Sequence, residues 1–230
     1  MTHTKPVALI TGAASGLGWA LCQQLAPHCT LYMTDVNEPL LHERAQTLGQ
    51  FSLSADITQD QALQSLVQWI RTHSGRLDYL INCAGITHRS LAAQTTPAVF
   101  RQVMAVDYQA PVELTLACLP LLEASQGKIV NIGSMAGWMP VLGRAGYCAA
   151  KSALHQFFET LRCEVRASGV SLLMVYPSFL DTPIETNALG FDGKKAAHPR
   201  SMIGKMRTPE WMAARIWRSM TRDFGGAAAM

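Results

Sequence analysis

The sequence predicts a doubly wound parallel α/β sheet in a single domain, and three observations carry that prediction. Short aliphatic runs alternate along the chain with longer segments of helical periodicity, the pattern of repeated βαβ units. The runs are apolar at consecutive rather than alternate positions, as in strands covered by helices on both faces. No internal repeat or linker-like stretch interrupts the alternation. Apolar residues make up 49% of the 230 and charged residues 15%, so the chain can bury enough surface to offset the entropy of ordering it.

The elements follow in order. Val7–Ile10 reads as the first strand, and the glycine-rich Thr11–Gly18 leads into a helix over Gly16–Ala26. Leu31–Thr34 reads as the next strand, and a helix is predicted over Asp60–His73, where apolar residues recur at three and four. Leu77–Ile81, Lys128–Ile132 and Val170–Tyr176 complete the strand-like runs. Between them lie a long helix from Pro97 to Glu123 and another over Tyr147–Ala167. From about 183 to 209 the periodicity gives way to Gly, Lys, Asn and Pro, which predicts a mobile insertion, and a helical pattern resumes at Glu210.

Charge and cysteine usage narrow the function classes. A formal net charge of +3, spread without a Lys/Arg block, gives no footprint for nucleic acid. The apolar run entering the glycine turn is too short for a signal-peptide core or a membrane span, so the chain is expected in the cytoplasm, without a membrane partner. Six cysteines lie far apart with no C-x-x-C pair, and no His/Cys spacing suits a metal. They read as packing residues in a reducing compartment, with a catalytic thiol as the lesser alternative.

Two stretches carry chemistry. Gly12, Ser15, Gly16, Leu17 and Gly18 fall between a strand and a helix, where glycines let the backbone approach a pyrophosphate and the helix N-terminus offers free N–H groups. Asp35 closes the second strand, near the ~20-residue interval at which an acidic group meets the adenosine ribose in dinucleotide folds. A carboxylate there accepts from a 2′-hydroxyl and repels a 2′-phosphate, and Ser15 brings no cation, so NAD is favoured over NADP. The plain alternatives are an ordinary glycine turn and a solvated turn aspartate. The second stretch holds Tyr147 and Lys151, four apart on one helix face, with Ser134 at the end of the preceding strand. An ammonium ~4 Å from a phenolate is worth about 4 kcal/mol at an effective dielectric of ~20, roughly three pK units at most, which predicts a tyrosine poised near working pH.

Together these motifs resemble the short-chain dehydrogenase/reductase family, over Lys5 to about Met220. The resemblance rests on Thr11–Gly18, on Asp56 after a third strand, on Asn82–Gly85, on Ser134, on the Tyr147/Lys151 pair, and on Pro177 with Thr182. It implies a Rossmann fold in which Asp56 and Ile57 border the adenine and Asn82, Ala84 and Gly85 stabilise the sheet beside the cofactor. It further implies that Lys151 holds the nicotinamide ribose and that Pro177 to Thr182 flank the carboxamide. Asp107 stands where the family usually has Asn, a residue that helps hold a proton-relaying water; Cys83, Gly133 and Ser178 also depart from the common residues. The chain closes on Arg222-Asp223-Phe224-Gly225-Gly226 and alanines, which predicts a short or absent last strand and a homodimer through the long helices, with a tetramer left open.

The expected chemistry is hydride transfer between NAD(H) and a secondary alcohol or ketone. Ser134 orients the oxygen, Tyr147 exchanges its proton, Lys151 lowers the phenol's pKa and Asp107 serves the relay. The alternatives are an NADPH-dependent carbonyl reductase and a nicotinamide-sensing binding module without turnover. Met135, Trp138, Met139 and Val141 could line an apolar pocket, but such clusters are more often core or interface packing. Arg144, near Tyr147, could pair with an acidic substrate but is read as solvated surface, as most arginines are, and His88 reads as a lone histidine without a role.

Overall fold

A computed structural model describes residues 5–197 and 206–221. Six parallel strands form one sheet in the order β3-β2-β1-β4-β5-β6. They are β1 (Val7–Thr11), β2 (Thr30–Thr34), β3 (Phe51–Ser52), β4 (Tyr79–Asn82), β5 (Lys128–Ile132) and β6 (Ser171–Val175). The order reverses between β1 and β4, the point at which open α/β sheets leave a crevice beyond their strand ends.

Successive residues of β1 feed opposite cores, which is why the run shows no alternation. Val7 and Leu9 join a cluster with α3 (Asp60–His73), α5 (Ala110–Ser125) and α6 (Ala145–Glu164). Ala8 and Ile10 join a second cluster with α1 (Gly16–Leu25), α2 (Glu38–Leu48) and α8 (Pro209–Thr221). Each strand residue thus loses water to one helical layer or the other, at ~25 cal/mol per Å² of apolar surface removed.

The predicted elements all form, with informative differences at their edges. β3 is only two residues long, too short for a pattern to register. The helix α2 also escapes periodicity, because only Leu41 and Ala45 are buried on it. Its ends are marked instead, by Asn37 accepting from Leu40 N at 3.3 Å and by Gly49 in the left-handed region. The long helix breaks into α4 (Pro97–Met104) and α5 around a π-helical turn at Ala105–Gln109, which carries Asp107. Such turns insert a residue and re-aim a side chain.

The segment after β6 is tied down at both ends of its described part. Leu189 pairs with the chain after β4, through Leu189 N to Thr87 O at 2.8 Å and Arg89 N to Leu189 O at 2.7 Å. Phe179 and Asp181 bond Arg207 through the backbone. Between them lies the short α7 (Pro183–Thr186). Residues 198–205, the middle of the expected insertion, and the tail expected to hold a short or absent last strand, lie outside the described residues.

Candidate active site

The glycine turn is shaped by positions that admit no side chain. Gly12 has φ +68°, and a Cβ there would stand 2.9 Å from Ala84 Cα. A Cβ on Gly18 would run into the Gly12 carbonyl, so α1 packs directly on the turn. Thr11, the first residue of the glycine motif but given no role of its own from the sequence, holds the turn to the end of β4, its hydroxyl oxygen accepting from Cys83 N and Ala84 N, both at 3.0 Å. Ser15 is exposed at the start of α1. Asp35 is fixed at the end of β2, Oδ2 accepting from Ala14 N at 3.1 Å and Oδ1 from Asn37 N at 2.9 Å. Asp56 is exposed and Ile57 buried.

At the other end of the crevice, β5 and α6 bring the expected catalytic set together. Ser134 Oγ accepts from Ala136 N at 3.1 Å, leaving its O–H to donate toward the Tyr147 phenol. Lys151 is buried one helical turn on, Nζ donating to Ile132 O at 3.1 Å and lying 5.7 Å from the Tyr147 ring centroid. Asp107 is fully buried behind them. Its Oδ1 accepts from Ile86 N at 2.8 Å, and its Oδ2 has no partner among the described residues.

These charges do not lower the phenol as the spacing predicts. Burial, aided by the Asp107 charge, outweighs Lys151, Ser134 and Arg144 and holds Tyr147 above its ordinary value. The expectation failed because it counted the ammonium and left out both desolvation and the carboxylate facing it. Burial likewise pushes Asp107 up to about 6 against the pull of Lys151 and the Ile86 N–H. The Cys83 thiol is pushed up to about 12, chiefly by burial, which leaves no thiolate for catalysis at neutral pH.

The turn, Asp35, Asp56, Ile57, Ala84, Gly85, Ser134, Tyr147, Pro177 and Thr182 all line one continuous cleft of about 1710 Å³. Lys151, Asp107 and Asn82 stand outside that lining. Asn82 Nδ2 is spent inside, on Asn131 Oδ1 at 2.7 Å and Thr115 Oγ1 at 3.0 Å, bracing β4 against β5 and α5. Residues 6–190 match the family model described as short chain dehydrogenase. The chain belongs to the short-chain dehydrogenase family. A dehydrogenase/reductase SDR family member 7B from Xenopus tropicalis is 31% identical over 227 residues, covering 93% of this chain and 74% of that protein. An uncharacterized oxidoreductase from Staphylococcus epidermidis is 31% identical over 198 residues, with 83% of this chain and 84% of that one covered. The crystal structure of a short-chain dehydrogenase from Streptomyces avermitilis superposes with a TM-score of 0.86 at 26% identity, covering 97% of this chain and 86% of that one.

Short-chain dehydrogenases use a nicotinamide cofactor, and the residues here fit one. The glycine turn, packed tightly on Ala84 and α1 because Gly12 and Gly18 lack a Cβ, lines the cleft beside the N-terminus of α1, which suits a pyrophosphate. Pro177 and Thr182 line the same cleft, and Thr182 stands close to the glycine turn, its Cβ 3.3 Å from where a Cβ on Gly16 would be. The family departure at Gly133 has a local reason: a Cβ there would press on the Tyr176 ring at 3.0 Å. That ring is sandwiched into a cluster with Trp138, centroids 4.3 Å apart, and its hydroxyl bonds His155 Nδ1 at 2.6 Å.

Arg144, His88 and part of the apolar cluster differ from the sequence reading. Arg144 is not solvated surface: its Nη2 donates to Glu185 Oε2 at 2.6 Å and its Nη1 to Thr87 Oγ1 at 3.0 Å. His88 is fully buried and accepts from Gly146 N at 2.9 Å through Nε2, anchoring the first turn of α6 just ahead of Tyr147. Burial and the nearby Arg144 hold its pKa down, so the neutral ring keeps its proton on Nδ1, toward Ser90 Oγ at 3.2 Å. Of the apolar cluster, Met135, Met139 and Val141 do line the cleft with partly exposed side chains, whereas Trp138 packs outside it on Tyr176. The glycine pattern and the Tyr/Lys spacing announce themselves locally; Arg144, His88 and Thr11 act through partners 41 to 73 positions away, which no local pattern reveals.

Proposed function

We propose that this chain interconverts a secondary alcohol and a ketone with NAD(H), Tyr147 being the proton-exchanging group. One observation carries the reading: Ser134 and Tyr147 line one end of the cleft whose other end is the glycine turn and Asp35. The bound nicotinamide would supply or accept the hydride. Ser134 donates its O–H to the substrate oxygen and orients it. Tyr147, held protonated at neutral pH by burial, gives its proton to a carbonyl oxygen during reduction. Lys151, with donors to spare beyond Ile132 O, holds the ribose side and stabilises the phenolate left behind. Asp107 carries the relay on its second oxygen, the buried atom without a protein partner.

The choice of NAD over NADP rests on Asp35, whose two backbone bonds fix a negative charge at the cleft wall. A 2′-phosphate placed there meets that charge, while a 2′-hydroxyl can donate to it. Assembly as a homodimer draws support from α5, whose apolar residues are not confined to its buried face and include the exposed Leu116. A cytoplasmic location fits the free cysteines, and no helix among the described residues is long and apolar enough to cross a membrane. Titration with NADH and NADPH, read by energy transfer from protein fluorescence, tests the cofactor reading. Tighter NADH binding is expected, and tighter NADPH binding overturns Asp35 as the selector.

A further inference from the structure

The first turn of α6 carries Tyr147, yet its N–H groups receive no cap from the usual place: the N-cap residue, Arg144, makes no side-chain bond to them. The acceptor comes from another part of the chain. His88, fully buried and 58 positions away, accepts from Gly146 N through Nε2 at 2.9 Å. Gly146 leaves room for that approach, since a Cβ there would stand 2.7 Å from Phe100 Cδ1 and 3.2 Å from His88 Nε2. Two further bonds join the same run to the start of the helix, Ser90 N to Gly143 O and Arg144 Nη1 to Thr87 Oγ1, both at 3.0 Å.

The hydrogens of this network can be assigned one by one. Leu91 O can only accept, so Thr95 Oγ1 donates to it at 2.8 Å. Ser90 Oγ, 2.7 Å from Thr95 Oγ1, therefore donates to Thr95 and accepts from His88 Nδ1 at 3.2 Å. His88 thus spends its Nδ1 hydrogen on Ser90 and meets the Gly146 N–H with the Nε2 lone pair, which only the neutral ring has. A second ring proton would set N–H against N–H and remove the cap. Phe100 on α4 stands edge-on to the ring, centroids 5.6 Å apart, and Leu189 bridges to the His88 backbone, neither of them ionisable. The charge that faces the ring is Arg144, at the start of α6.

Resting on the dehydrogenase reading above, we infer that His88 is a positioning residue for the reaction: its Nε2 lone pair caps α6 and holds Tyr147 where the proton is exchanged, and protonating the ring withdraws that hold. His88 does not line the cleft and acts only through the helix. A misplacement of ~1 Å at a reacting group costs on the order of a hundredfold in rate. One buried acceptor can therefore govern kcat without touching the cofactor. Burial and Arg144 keep the ring's pKa below its ordinary value of ~6.5, so the cap is complete at neutral pH and is lost only on the acid side.

The test follows NADH-dependent reduction of acetophenone and cyclohexanone against pH, together with NADH binding and Tm. An arm independent of turnover follows the NMR amide signal of Gly146 in the NADH-loaded protein. His88→Leu removes the acceptor at every pH and should lower kcat about ten- to a hundredfold, with the NADH dissociation constant unmoved. His88→Gln offers an amide oxygen near the Nε2 position and does not titrate, so it should recover most of that loss at neutral pH. In the wild-type protein the Gly146 signal should shift, and kcat fall, as pH drops below ~6.5. In His88→Gln the signal should hold still, leaving only the acid limb owed to Asp107, whose pKa is about 6. Should His88→Leu fail to fold, wild type against His88→Gln across pH still decides. Unchanged kcat in His88→Leu, an equal loss in both variants, or a Gly146 signal that titrates alike in wild type and His88→Gln overturns the inference. So does a loss of NADH affinity and Tm in step with kcat, which a merely structural role would give. A Gly146 signal that titrates in the wild type alone, with neither ketone reduced, upholds the cap and counts against the dehydrogenase reading instead.

Discussion

The two ends of the cleft are built by different means. At the adenosine end, function sits in the backbone: Gly12 and Gly18 hold conformations and contacts that a Cβ would spoil, and Asp35 is fixed by its neighbours' N–H groups. At the substrate end, function sits in buried polar and charged groups: Tyr147 and Lys151 on α6, Asp107 from the π-helical turn, and the Arg144–Glu185 pair, where burial and neighbouring charges shift Tyr147 and Asp107. A backbone cradle is specified by short sequence and stays much the same at any pH. A charge constellation depends on burial and partners, and is the end where pH and single substitutions should act most.

The largest expected effect is at that end. Tyr147→Phe should lower kcat by ~10²–10⁴, the usual worth of a positioned acid/base, while leaving the NADH dissociation constant nearly unchanged. Retained turnover would assign the proton to another group. Next comes Asp107→Asn. The Asp107 pKa is raised by burial to about 6, so between roughly pH 4 and 6 the native state keeps a proton that the unfolded chain has released. This residue's contribution therefore favours folding less as pH rises through that window. Above it, the asparagine variant should be more stable in urea melts by up to about 3 kcal/mol, with the difference vanishing as pH falls toward about 4. Removing the charge also removes one influence that raises the phenol, so the basic limb of the pH–rate profile should move down. An equal stability change at every pH would mean that Asp107 has the same pKa in the folded and unfolded chain.

The smaller effect belongs to the adenosine end. Thr11→Val keeps the shape but leaves Cys83 N and Ala84 N without their acceptor. A loss of about 1–3 kcal/mol is expected for stranding such donors. That corresponds to a Tm lower by at least ~2 °C for a chain of this size, with little pH dependence. A strongly pH-dependent loss would erase the contrast between the two ends.

Much of this was legible in the sequence, for physical reasons that differ by element. Asp60–His73 was readable to the residue because one face, Leu63, Leu66, Val67 and Ile70, is buried and the other is wet. Glu38–Leu48 was not, since its burial reduces to Leu41 and Ala45 and its signals are the caps. The Pro97–Glu123 helix was seen without its π-helical turn, because apolar periodicity continues across Ala105–Gln109 while the backbone gains a residue to bury Asp107. Ser134, Tyr147 and Lys151 were found from order and spacing; their electrostatic balance was not, because desolvation is a property of the packed site.

By itself, then, the sequence determined the layer architecture, the phosphate-type turn and the identity of the reacting side chains. Hydrophobic period, obligatory glycines and i, i+4 spacing are local quantities carried by neighbouring residues. Only the tertiary structure decided that Arg144 pairs with Glu185, that His88 anchors the catalytic helix, and that Tyr147 rests protonated. Each of those depends on which distant groups share a dry volume, and the energy of a charge is set by everything within that volume rather than by its neighbours along the chain.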